Sequence, residues 1–208
     1  MNARLGDGLR TAAGDAFARR ATPGVLLAED ADAVANACLD VAVQFHRGGR
    51  LVVFGNGGAA ADAQHIAVEF VHPVIVGKRA LPALSLTNDV ATLTGIAVRA
   101  GFDDVFAHQI RHLAAPGDIA LGVSPDGECE NVLRGLAAGR DLGMLTVALV
   151  GGDGGAIARS DAVRDVLVAR SDDALVVKEI HTTIYHVLWE LVHVFLDQPG
   201  LLETGAER

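Results

Sequence analysis

Apolar residues are arranged in two alternating patterns along the chain. Short apolar runs of strand length, at 51–54, 81–86, 119–123, 145–150 and 166–168, recur between longer stretches in which apolar positions return every three or four residues. Continuous runs rich in β-branched residues suit strands buried on both faces, and the longer period suits helices laid across them. The helical stretches are expected up to about residue 20, over 25–46, from 59 to about 70, over 102–113, over about 129–141, briefly after 155, and over about 174–196. Ala21, Thr22, Pro23 and Gly24 are expected to separate the first two helices, and Gly48 with Gly49 to end the second. Thr87, Asn88 and Asp89 form a capping cluster, and Pro116, Gly117 and Asp118 form a turn.

Strands alternating with helices at this spacing predict an α/β fold, a parallel sheet with helices on both faces. No repeat or linker divides the chain, so 1–208 reads as one domain. Residues 1–50 are N-terminal helices, 51–170 the sheet and its flanking helices, 171–196 a long C-terminal helix and 197–208 a tail. Two helices ahead of the first strand leave more apolar surface than one small sheet needs, which predicts a subunit interface.

Composition narrows the function classes. The net charge of −9, with 17 basic residues against 26 acidic, disfavours general nucleic-acid binding, which needs a basic surface. Half the residues are hydrophobic, yet no uninterrupted run reaches the roughly 18 residues of a membrane span, and residues 1–20 lack a signal-peptide core. A cytoplasmic location without membrane association is the expectation. Cys38 and Cys129 are too far apart to suggest a disulfide framework or a metal motif, and both read as incidental thiols.

Candidate chemistry starts at LVVFGNGGAAADAQHIAVEF, residues 51–70, a strand, a glycine turn and a helix. Gly55, Asn56, Gly57 and Gly58 would aim unpaired helix N–H groups at whatever sits above the strand end, a natural place for a phosphate or carboxylate. A tight βα connection alone would explain the glycines equally well. His65 and Glu69 at i and i+4 share a helix face and could hold a metal ion or act as an acid/base pair. In KEIHTTIYHVLWELVH, residues 178–193, Glu179, Thr183, His186, Glu190 and His193 form a second stripe flanked by Lys178. A single histidine there would more often be an interface residue, but two His/Glu-bearing helix faces in one domain strengthen the chemical reading.

The helical lead, LVVFGNGGAAADAQHIAVEF, GFDDVF, the PGD turn, GVSPDGECENV, the VGGDGG loop and EIHTTIYH together resemble the sugar isomerase (SIS) fold of sedoheptulose 7-phosphate isomerases. The resemblance spans about residues 25–196. It implies a five-stranded parallel sheet, a homotetramer built through N- and C-terminal helices, and active sites at subunit contacts. It also implies zinc held at His65, Glu69 and His186, with Glu69 and His186 sharing the acid/base work of an aldose/ketose isomerisation that gives D-glycero-D-manno-heptose 7-phosphate.

Several positions depart from the family pattern. Lys178 stands where the family has a Gln ligand, and its cation would repel zinc unless neutralised. Ala59 replaces a phosphate-binding serine, and the loop Ser124, Pro125, Asp126, Gly127, Glu128, Cys129 replaces a run of serine, threonine and asparagine. Asp126 and Glu128 would place negative charge at the phosphate subsite, with Arg99 as compensating cation. Val98 and Arg99 replace an Asn-Asp pair, Pro73 an arginine and Leu175 an aspartate. Three functions follow as expectations: a phosphoheptose isomerase, a divergent SIS protein for another or unphosphorylated sugar, and a non-catalytic assembly tetramer.

Overall fold

A computed structural model describes residues 7–204; the parts of the expected first helix and tail at 1–6 and 205–208 lie outside the described residues. Five strands, β1 (Leu51–Gly55), β2 (Ala83–Ser85), β3 (Ile119–Ser124), β4 (Leu145–Gly151) and β5 (Asp165–Ala169), form one sheet in the order β2-β1-β3-β4-β5. Every pairing is parallel. The chain leaves β1 toward β2 on one side and returns to β3 on the other. Loops after β1 and β3 therefore flank the crevice at the strand ends, where ligands of open α/β sheets bind.

The helices are α1 (Asp7–Glu29), α2 (Ala31–His46), α3 (Gly58–Val71), α4 (Val90–Ala100), α5 (Val105–Leu113), α6 (Glu130–Leu142), α7 (Gly155–Ala158), α8 (Ala174–Leu196) and α9 (Pro199–Thr204). A single 3-10 turn, Phe102–Asp104, leads into α5. All five residues of β1 are buried, and alternate ones feed opposite layers. Leu51 and Val53 join Val41, Phe70 and Leu188 on the α2/α3/α8 side. Val52 and Phe54 join Phe106, Ile110 and Leu136 on the other, with the Phe54 and Phe106 rings 5.2 Å apart. A strand that serves two cores has no polar face to show, which is why its sequence reads as an unbroken apolar run.

Two expected boundaries move. The interruption at residues 21–24 does not occur: α1 continues through Pro23 to Glu29, and the break comes at Asp30. An internal proline removes one helix hydrogen bond, but the Pro23 ring is buried. Arg20 of the preceding turn is clamped to Glu179 of α8 by two bonds of 2.7 and 2.9 Å, so tertiary contacts hold the helix across the weak point. The strand expected over 81–86 shortens to Ala83–Ser85 because it lies at the sheet edge and pairs with β1 alone. Leu81 and Leu86 are buried beside it.

Cys38 is fully buried in α2, and burial pushes its thiol up to about 12. Asp165, at the start of β5, is half-buried near Asp40, and loss of solvent raises its carboxyl to about 6. Arg164 beside it reaches Asp40 at 2.8 Å, while Oδ2 of Asp165 has no hydrogen-bond partner.

Candidate functional site

The site grows from the turn between β1 and α3. A side chain at Gly55 would meet the Val123 carbonyl oxygen at 2.7 Å and Cβ of Ala59 at 2.9 Å, so only glycine lets α3 start this close to β3. Gly57 adopts φ +55°, a left-handed conformation that glycine supplies without steric cost. Asn56 is turned sideways into a reciprocal amide pair with buried Asn131 of α6, at 2.7 and 3.0 Å, which ties the β1 loop to the start of α6.

Helix α3 then carries His65 and Glu69 on one face, and α8 packs beside it. Trp189 Nε1 of α8 donates to the Glu69 carbonyl at 3.0 Å and fixes the relative height of the two helices. His186 thereby arrives opposite the α3 pair. Glu69 Oε1 lies 3.3 Å from His65 Nε2 and 3.2 Å from His186 Nε2. The three ligand atoms all fall within 4.8 Å of one another. Ligands roughly 2.0–2.1 Å from a tetrahedral zinc sit about 3.3 Å apart, and two imidazoles with one carboxylate are a borderline-soft donor set suited to zinc. These residues fit the ion and leave coordination positions open.

The Glu69 side chain is 14% exposed and both imidazoles are about half exposed, so the cluster opens on one side. A cleft of about 520 Å3 meets it, lined by Glu69, Ile75, Lys78, His186, Trp189 and Glu190. Beneath the cluster Tyr185 is buried, and its hydroxyl lies 3.0 Å from His65 Nδ1. Burial pushes the Tyr185 phenol above its ordinary range, so it is a neutral hydroxyl.

Glu190 of the α8 stripe lines this cleft, while Glu179 and His193 are engaged elsewhere. Glu179 pairs with Arg20. His193 is buried, with its ring nitrogens facing the carbonyl oxygens of Trp189 and Arg79 at 2.8 and 3.0 Å. Lys178 is paired with an acid. Its ammonium donates to Asp62 at 2.5 Å and to the Gly58 carbonyl at 3.1 Å, which places it at the entry of α3. One turn along α8, His181 is buried with Nε2 unpaired, and burial pushes its imidazole below the ordinary range.

The β3 loop spends its polar groups on itself. Ser124 Oγ donates to Asp126 Oδ1 at 3.2 Å and accepts from Gly127 N at 3.0 Å. Asp126 Oδ1 also accepts from Glu128 N at 2.9 Å. Glu128 reaches across to the β4 loop, where Oε1 accepts from Ala156 N at 3.0 Å and from Arg159 at 3.2 Å. Arg99 does not join either group. It lines a separate cavity of about 690 Å3 with Asp89, Thr92, His108 and His112, and no lining residue is shared with the Glu69 cleft.

Asp62, Tyr185, Asn131 and Arg159 escaped the sequence reading. The position of Asp62, three residues before His65 on one helix face, is the signal that could have exposed it. Nothing in spacing alone pairs Arg159 with Glu128 or Asn131 with Asn56.

The SIS domain family model matches residues 19–151 of the chain. The phosphoheptose isomerase of Solidesulfovibrio magneticus is 42% identical over 177 residues, which covers 85% of this chain and 85% of that protein. The solved structure of phosphoheptose isomerase from Neisseria gonorrhoeae superposes with a TM-score of 0.81 at 29% identity, covering 88% of this chain and 98% of that one. That of a phosphoheptose isomerase from Francisella tularensis gives 0.82 at 30% identity, covering 88% and 97%.

Proposed function

The chain belongs to the SIS domain family and is phosphoheptose isomerase-like, and from that premise we propose that it interconverts sedoheptulose 7-phosphate, or a closely related sugar phosphate, with the corresponding aldose. The observation that carries the reading is the convergence of His65, Glu69 and His186 from two helices, beside a cleft that Glu69 and His186 line. Isomerisation removes a proton from C1 of the ketose, forms a C1=C2 enediol, and returns a proton to C2 while a hydroxyl proton passes from O1 to O2. Glu69 presents Oε1 to both imidazoles. Its second oxygen is the base for the carbon proton, and His186 relays the hydroxyl proton. Zinc held by His65, Glu69 and His186 would polarise the carbonyl oxygen as a Lewis acid.

Phosphate recognition falls to the entry of α3, where Gly57 and Gly58 present the positive end of the helix and Lys178 adds a half-exposed ammonium. Gly55 and Asn56 shape that entry, Ser124, Asp126 and Glu128 lie in the β3 loop with their side chains bonded within the protein, and Arg99 supplies longer-range positive charge. A second reading, the same proton transfer on an unphosphorylated or cationic sugar, is favoured by one observation: the Ser124 hydroxyl is consumed by Asp126, which is itself exposed.

The protein acts as a cytoplasmic homotetramer in this proposal. Among the described residues no helix is long and apolar enough to cross a membrane. Exposed Leu9, Phe17 and Val25 on α1, with an apolar groove lined by Leu27, Val187 and Leu191, support burial of α1 and α8 between subunits.

The test is an NMR assay of the purified protein on sedoheptulose 7-phosphate, with and without zinc, beside Glu69→Gln. The aldose should form with the native protein and not with the variant. Absence of turnover in both would reject the phosphosugar reading, and turnover of a neutral sugar alone would establish the second.

A further inference from the structure

We propose that Tyr185 is a positioning residue that fixes the tautomer of His65, holding the proton on Nδ1 and presenting the Nε2 lone pair to the Glu69 side. The inference deepens the metal-holding reading and, for its effect on affinity, rests on it.

Three contacts underlie the direction assigned to the proton chain. Thr182 Oγ1 donates to the Lys178 carbonyl oxygen at 3.0 Å, and that oxygen can only accept. Its hydroxyl proton is thereby committed, which leaves Thr182 Oγ1 as the acceptor for the Tyr185 O–H at 3.4 Å. With its own proton assigned to Thr182, the Tyr185 oxygen accepts from His65 Nδ1, 3.0 Å away. Every proton runs outward from His65 to a backbone carbonyl, and the tautomer is assigned from that sequence of donors and acceptors.

The consequence falls on the other ring nitrogen. His65 Nε2, without a proton, faces Glu69 Oε1 at 3.3 Å, and two lone pairs at that separation repel unless a positive centre lies between them. His186 Nε2 stands 3.2 Å from the same oxygen. The hydroxyl chain thus prepares the three-residue cluster to receive a cation.

Packing holds the device in place. Tyr185 is 2% exposed, and its ring meets the His65 ring edge-on at 5.5 Å and the His186 ring edge-on at 4.8 Å. Metal-bound histidines usually pass the second ring proton to a carboxylate, carbonyl or water. Here a buried phenol takes that part.

The experiment reads the tautomer and the metal separately. Nitrogen-15 spectra of labelled, metal-free protein at pH 8 should show His65 protonated on Nδ1 in the native chain and a mixture of tautomers in Tyr185→Phe. Calorimetric titration with zinc should show binding 10–100-fold weaker in Tyr185→Phe, and weakened in the same direction but by less in Thr182→Val. Thr182→Val keeps the buried ring intact and so decides the matter if Tyr185→Phe fails to fold. An unchanged Nδ1–H tautomer in a folded variant would overturn the proposal, as would a native-like zinc affinity in both variants. If the native protein takes up no zinc, the metal reading fails and the spectra alone decide the role of Tyr185.

Discussion

Two polar regions of the molecule use their carboxylates in opposite ways. On α3 and α8, Glu69 faces two half-exposed imidazoles and an open cleft, so its capacity is directed outward. In the β3 loop, Asp126 and Glu128 are turned onto backbone N–H groups and Arg159, so theirs is spent on the protein itself. The difference teaches that a carboxylate near a ligand crevice is chemically available only if the fold has not already given it donors. Charge counted along the sequence overstates what the loop can do to a ligand.

The strongest way to break this contrast is Glu69→Gln. Removing the carbon base should lower isomerase turnover by about 10²–10⁴-fold, with the melting temperature unchanged to within a few degrees by calorimetry. A comparable loss from Glu128→Gln would erase the distinction between the regions.

Glu128→Gln should instead act on stability. Its carboxylate gives up a charge-assisted bond to the start of α7 and its pairing with Arg159, both partly solvated, at a cost of about 1 kcal/mol in urea unfolding. The KM for the sugar phosphate should stay within about twofold. A tenfold drop in KM without a stability change would mean that this carboxylate faces the phosphate after all.

A third kind of carboxylate is one whose Oδ2 the fold has given no donor. Loss of solvent pushes the Asp165 carboxyl up from 3.8 to about 6, so between those values the native chain binds more protons than the unfolded one. The stability it contributes is fully present below the lower value and is lost as pH rises through 6. Discounted for partial exposure, Asp165→Asn should stabilise the protein by about 1 kcal/mol at pH 7.5. The gain should vanish by pH 4, read as the difference in urea midpoints between the two pH values.

Much of the fold was legible because buried strands and amphipathic helices write different periods. The expected long C-terminal helix over 174–196 coincides with α8 as observed, helped by the Asp173 side chain that accepts from Leu175 N at 3.0 Å. Pro23 and Gly24 misled because local propensity says nothing of the Arg20 to Glu179 clamp, which spans 159 residues. The last helix, α9, went unread, although Leu202 within it is buried in the α2/α8 core.

The same split runs through the site. His65 and Glu69 are legible as an i, i+4 pair, a purely local fact. That His186 meets them depends on the height at which α8 docks, set by the Trp189 bond to the Glu69 carbonyl. The pairing of Lys178 with Asp62 is likewise a tertiary event, 116 residues apart.

Glu69 is proposed to move the carbon proton. Isomerisation of sedoheptulose 7-phosphate in D2O, followed by NMR and mass spectrometry, tests it most directly. A carboxylate that opens on a solvent cleft exchanges its proton between removal and return, so the aldose should carry deuterium at C2, and Glu69→Gln should abolish both product and label. Product lacking deuterium at C2, or an equal label from the variant, would contradict the account.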